Sequence, residues 1–107
     1  MKGAFLRFYT HENRKVRGVL LYEWLLEEAK KLGIHGGTAF KAMAGFGRHG
    51  VMHEAKFFEL AGDLTVEVEF IVTDEEAAKL IDAASTAKVR LFYARVAADF
   101  GIIEGGP

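Results

Sequence analysis

Apolar and polar positions alternate over residues 3–9, with Ala4, Leu6 and Phe8 on one side and Phe5, Arg7 and Tyr9 on the other. A period of two with aromatic enrichment predicts a half-buried strand. A polar stretch from Thr10 to Lys15 leads into a period near 3.6 from about Val16 to Leu32. Leu21, Leu25, Ala29 and Leu32 form its stripe, widened by Leu20 and Trp24, so a helix is expected there. Lys30 and Lys31 complement the helix dipole in the last turn, and Gly33 supplies a left-handed stop. A second strand is expected over Thr38 to Ala44. Residues Leu64 to Val72 alternate most cleanly of all, with Leu64, Val66, Val68, Phe70 and Val72 on one face. Thr73-Asp74-Glu75-Glu76 is a capping box that opens a second helix, with Ala77, Leu80, Ile81 and Ala84 on one face. Ser85-Thr86 ends that helix, and Lys88 to Val96 reads as a fourth strand.

The order is strand, helix, strand, a long loop, then strand, helix, strand. Two such units with right-handed crossovers interleave into one antiparallel sheet. The predicted class is therefore α+β, a ferredoxin-like βαββαβ fold with four strands and both helices on one face. At 107 residues the chain is expected to be a single domain spanning residues 1–107. The opposite sheet face is left uncovered. Phe5 and Tyr9, with Ile71, Leu91 and Tyr93, make it partly apolar, so packing alone predicts an oligomer. The tail over 101–107, with three glycines and a proline, is expected to be loose.

Composition narrows the function classes. Fourteen basic residues against fifteen acidic ones give a net charge of -1, unlike the basic footprint of a nucleic-acid binder. No nucleic-acid partner is expected. The absence of cysteine removes disulfides and thiolate metal sites and fits a cytoplasmic protein. The first charges come too early for a signal peptide, and no apolar run approaches the roughly 20 residues of a membrane span.

The segment Gly45 to Asp63 has no sustained period and is long for so compact a domain, and loops of that kind are functional or disordered. It opens with Gly45-Phe46-Gly47-Arg48-His49-Gly50, a Gly-x-Gly-x-x-Gly string. The dinucleotide-binding version of that string must open a helix, and here the next regular element is a strand. A simple glycine-rich turn is one alternative. The other is an anion cradle, in which backbone N–H groups converge on phosphate oxygens and Arg48 adds a bidentate contact.

The run Ala44 to Glu54 resembles the loop entry of the PII signal-transduction proteins. It is still more similar to a PII-like family of unknown function, some members of which are encoded beside fluoride channels. Glu59-Leu60, Asp63-Leu64 and Glu69-Phe70-Ile71-Val72-Thr73-Asp74-Glu75 agree with it in order and spacing. The resemblance implies a cytoplasmic homotrimer that binds an adenine nucleotide (AMP, ADP or ATP) in clefts between subunits. It also implies that a loop over about 48–62 signals to a partner protein, a membrane transporter or channel being one candidate. By position, Gly45, Phe46, Gly47, Arg48 and His49 would hold phosphates. Lys88, Arg90 or Arg95 of the fourth strand would approach from the same or a neighbouring subunit, and the backbone of Ile71 and Val72 would frame the base. No obligatory cofactor is implied. Two departures stand out. Ala83-Ala84-Ser85-Thr86-Ala87-Lys88 replaces the family's glycine-rich segment there, so a triphosphate cradle is not assured. Tyrosines stand only at 9, 22 and 93, so the loop has none to be nucleotidylated.

His49 and His53 are four apart, and copper-tolerance proteins share this trimeric fold, which makes a metal-binding trimer the rival reading. No third ligand, cysteine or methionine cluster accompanies them. His11 and His35 lie in predicted turns. Glu67 and Glu69 share a strand face and read as solvated or subunit-contacting. Ser85 is the only serine and has no adjacent histidine, so no serine triad is expected. An enzyme, if there is one, would be a slow nucleotide phosphohydrolase using Arg48 and a histidine.

Overall fold

The fold is that of a computed structural model, which describes residues 1–45 and 64–107. Strand β1 spans Lys2–His11, β2 Lys15–Val16 and β3 Val19–Leu20; helix α1 spans Leu21–Lys31 and strand β4 Thr38–Lys41. Strand β5 then spans Thr65–Thr73, helix α2 Asp74–Thr86 and strand β6 Phe92–Asp99. Four strands form one sheet in the order β4-β5-β1-β6, and every pairing in it is antiparallel. With both helices on one face, this is the ferredoxin-like α+β arrangement that the alternation predicts.

The alternation decides the layers. Leu6 pairs with Phe70 and Phe8 with Val68, so the apolar sides of β1 and β5 coincide. Ala4, Leu6, Phe8, Val66, Val68, Phe70 and Val72 are buried there against Leu25 and Ala29 of α1 and Ala77 and Leu80 of α2. Thr73 Oγ1 accepts from the Glu76 N–H at 3.1 Å, and Glu76 Oε1 accepts from the Thr73 N–H at 2.9 Å, which completes the expected capping box.

Some boundaries differ from the sequence reading, and at the first helix and the fourth strand the backbone shows why. The first helix begins at Leu21 because Lys15–Leu20 is a tight hairpin whose turn residues Arg17 (φ 49°) and Gly18 (φ 82°) are both left-handed. Val16 and Leu20 are four apart, so they mimic a helical stripe that is not there. The second strand stops at Lys41, short of Ala44. The fourth strand begins at Phe92, not Lys88, because the chain first closes the end of α2. Val89 N–H donates to the Ala84 carbonyl and Lys88 N–H to that of Ser85, with Lys88 left-handed at φ 59°. The same closure ends α1, where Ile34 bonds to Ala29 and Gly33 to Lys30, and there the left-handed place is held by glycine.

The sheet face that no described residue covers carries Phe5, Arg7 and Tyr9 with Thr38, Phe40, Glu67, Glu69, Ile71, Phe92, Ala94 and Val96, by strand register. Tyr93 is not among them. It pairs with Phe8 on the helix side, the two ring centroids 6.2 Å apart. Leu91 precedes β6 and packs against the core. Beyond Phe100, whose N–H bonds to the Met1 carbonyl, residues Gly101–Pro107 are exposed.

Candidate functional site

Antiparallel register brings Tyr9 of β1, Thr65 and Glu67 of β5 and Phe40 of β4 to one end of the uncovered face, and Lys41 follows at the end of β4. Ala42 N–H donates to the Thr65 carbonyl at 2.8 Å, which carries the chain past the end of β4 towards Gly45. These residues, with Ala42, Ala44 and Gly45, line a cleft of about 280 Å³. Lys41 Nζ lies 2.7 Å from Glu12, a contact that ties β4 to the turn after β1. A larger depression of about 530 Å³, lined by Arg17, Trp24, Glu28, Leu32, Lys79, Asp82 and the end of α2, is a shallower groove between the helices. The smaller cleft is the better candidate because it joins aromatic walls to convergent polar groups at the root of the glycine-rich segment.

Beside the cleft, Arg7 is the charge centre of the face. Its Nε is 3.3 Å from Glu67 Oε1 and 3.6 Å from Glu69 Oε2, and its guanidinium stacks 4.5 Å above the Phe5 ring. The Nε–Glu67 approach has ion-pair distance without hydrogen-bond alignment. Tyr9 above all, then the two carboxylates, hold Arg7 cationic against a lowering by desolvation. The Glu67 carboxyl is pushed above the usual range, chiefly by a hydrogen bond shared with Glu69, then by burial and the Glu69 charge; Arg7 opposes this.

A raised folded-state value means that the fold favours protonated Glu67. Its stabilisation is fully present below about pH 4, the unfolded value, and is lost as pH rises through the folded one. Glu67→Gln is therefore expected to be more stable relative to the parent at neutral pH than at acid pH. Urea denaturation at a series of pH values checks this; a difference that does not vary with pH would contradict it.

Of the residues expected from sequence to hold the nucleotide, only Gly45 lines the cleft among those described. Phe46, Gly47, Arg48 and His49, together with His53 and the proposed loop over 48–62, lie outside the described residues. Ile71 is on the uncovered face and Val72 is buried in the core. Both stand at the far end of β5, roughly 20 Å along the strand from Thr65 at about 3.3 Å per residue. Lys88 and Arg90 are in the α2–β6 connection rather than on a strand. Arg95 lies on β6 and points to the helix side, where its guanidinium meets Asp74 at 2.9 Å. Among the described residues, then, Ile71, Val72 and Arg95 do not meet Gly45 at the cleft. Conversely, Tyr9, Phe40, Lys41 and Thr65 were not singled out, and Glu67 belongs to the cleft. Alternation shows which face each occupies, but only strand pairing shows that they meet.

Among the described residues no group of three or more His, Cys, Asp or Glu side chains could hold a metal ion. Nor is any described helix long and apolar enough to cross a membrane.

Residues 3–90 match the model of a family described as DUF190, Uncharacterized ACR, COG1993. The chain belongs to this family. Among DUF190 relatives, a UPF0166 protein of Aquifex aeolicus is 35% identical over 82 residues, 77% of this chain and 78% of its own. A UPF0166 protein of Methanocaldococcus jannaschii is 31% identical over 81 residues, covering 76% of this chain and 74% of its own. Neither relative's name states an enzymatic activity.

Proposed function

We propose that this DUF190 chain is a cytoplasmic PII-like regulatory protein, not an enzyme. It binds an adenine nucleotide (AMP, ADP or ATP) at clefts between the subunits of a homotrimer and signals to a partner protein through the segment over about 48–62. The observation that carries this reading is the aromatic-walled cleft at the root of the glycine-rich segment. Tyr9 and Phe40 offer faces on which a purine stacks, and the chain leaves the cleft at Gly45 into Phe46-Gly47-Arg48-His49. Phosphates held by backbone N–H groups and Arg48 would then sit next to a stacked base. The uncovered sheet face places this cleft beside a surface suited to another subunit. Lys88 and Arg90, in the connection that leads into β6, would approach the phosphates from the same or a neighbouring subunit.

Calorimetric titration with AMP, ADP and ATP tests the proposal. Arg48→Ala is expected to weaken binding by about 1.5–3 kcal/mol, roughly ten- to a hundredfold. Phe40→Ala should cost about 1–3 kcal/mol, the range for a stacked base. A parent that binds none of the three nucleotides, or both variants binding like the parent, would overturn it.

A further inference from the structure

Glu67 forms the floor between the two aromatic walls of the cleft. Register sets it opposite Tyr9 on one side and opposite Phe40 on the other. Neighbouring strands lie about 4.7–4.9 Å apart, so the two rings are rooted roughly 9.5 Å from each other. A flat base standing edge-down on Glu67 fills that gap, since each ring contact takes about 3.5–4.0 Å. Phe92 backs the Tyr9 ring with centroids 5.5 Å apart, which holds that wall in place. Among the described residues Glu67 is the one carboxylate that lines the cleft, and Lys41, the one cation, is turned to Glu12 at 2.7 Å. The carboxylate is itself oriented. Its Oε1 faces Arg7 Nε at 3.3 Å and is closed off from solvent. The side chain as a whole is 27% exposed, so the oxygen left open is Oε2.

We propose that Glu67 reads the base in this cleft, Oε2 accepting from the exocyclic amino group of a 6-aminopurine and rejecting a 6-oxopurine. This role rests on the adenine-nucleotide reading of the cleft and names the residue that selects adenine. A 6-oxopurine carries a carbonyl where adenine carries the amino group, so two acceptors would face each other with no donor between them. Guanine also presents two N–H donors side by side on its edge, which suit a carboxylate with both oxygens free. Arg7 takes one of those oxygens here. The groups that face Glu67 are Arg7, Tyr9 and His11 from β1, Glu69 from its own strand, and Thr38 and Phe40 from β4. In the free protein a hydrogen bond with Glu69, then burial, favours the protonated carboxyl. An amino donor favours the ionised form. The base therefore displaces the proton, and its affinity falls as pH is lowered through the folded value of Glu67.

Calorimetric titration of the full chain with AMP, IMP and GMP, between about pH 5 and pH 8, tests this. The parent is expected to bind AMP about tenfold or more tighter than either 6-oxopurine nucleotide, as for a hydrogen bond to a charged group. Glu67→Ala should bind AMP and IMP alike. In Glu67→Gln, Arg7 keeps the carbonyl oxygen and the amide N–H2 turns to the cleft. That variant should bind IMP at least as well as AMP, without the parent's pH dependence. Glu27→Gln, on the exposed face of α1, should keep the parent's ratio. A purely structural Glu67 would lower all three affinities together and leave their ratios alone. A parent that binds IMP as tightly as AMP, or parental ratios in both Glu67 variants, overturns the role of Glu67 while nucleotide binding stands. A parent that binds no purine nucleotide overturns both.

Discussion

Phe70→Ala is expected to cost about 3–5 kcal/mol of folding stability, the range for truncating a buried aromatic ring. Domains of this size carry roughly 5–15 kcal/mol in total, so the variant should be barely folded or unfolded at 37 °C. Phe70 is 1% exposed and sits on β5 at the centre of the core. Its ring meets Phe8 edge-to-face with centroids 6.1 Å apart, the arrangement the aromatic quadrupole favours. The backbone closes over it on the other side. A Cβ added at Gly37 would run into the Phe70 ring, so Gly37 is part of the same packing. The cavity left by alanine would therefore be walled by strands and by the α1–β4 loop, none of which can collapse freely. Urea denaturation should show a lower midpoint with an unchanged slope. Phe92→Ala, on the uncovered face of a separated subunit, should cost far less. A Phe70→Ala loss no greater than that of Phe92→Ala would show that the core is misplaced.

How legible the fold was depended on which physical signal each residue carries. The side-chain alternation of β1 and β5 and the capping box at Thr73 are local, and they predict faces and element types directly. The hairpin at Arg17-Gly18 was hidden because Val16 and Leu20 satisfy a helical spacing while the backbone at Arg17 turns left-handed, which Arg seldom does. Thr86 ends α2 as expected, but a left-handed Lys88 hid the closure that follows it and so delayed the start of β6 to Phe92. The candidate cleft was less legible than the fold. Tyr9, Phe40 and Glu67 are far apart in sequence and meet only because Tyr9 pairs with Glu67 and Glu67 with Phe40. Periodicity fixes the face of a residue but not its neighbours across strands. Arg95 shows the opposite error, a cation that looks available in sequence but is already opposite Asp74.

Ile71→Asp is expected to convert the proposed trimer to monomers while leaving each subunit folded. Ile71 is 51% exposed in the separated chain, and Val96, also on the uncovered face, is 57% exposed. Phe40, Phe92, Phe5 and Tyr9 extend this apolar surface across all four strands. Among the described residues strand β6 ends the sheet order and adds a long edge, which an isolated protein would have to protect against pairing. Covering both in a closed ring of like subunits removes the two liabilities together. The charges on this face do not argue against burial, because Arg7 lies between Glu67 and Glu69, and one of those carboxyls is biased towards its neutral form. An aspartate at position 71 has no such partner. It would stand two residues from Glu69, on the same face and of the same sign. An unpaired charge buried at an interface costs about 3–5 kcal/mol, so the dissociation constant of each contact should rise by roughly a hundred- to a thousandfold or more. On a separated subunit the side chain is half in water, and folding should lose only about 1 kcal/mol. Sedimentation velocity at micromolar concentration, beside far-ultraviolet circular dichroism, reads the two effects apart. The expected result is a trimeric parent and a folded monomeric variant. A monomeric parent, or an Ile71→Asp protein that sediments as a trimer, would show that this face is not where subunits meet.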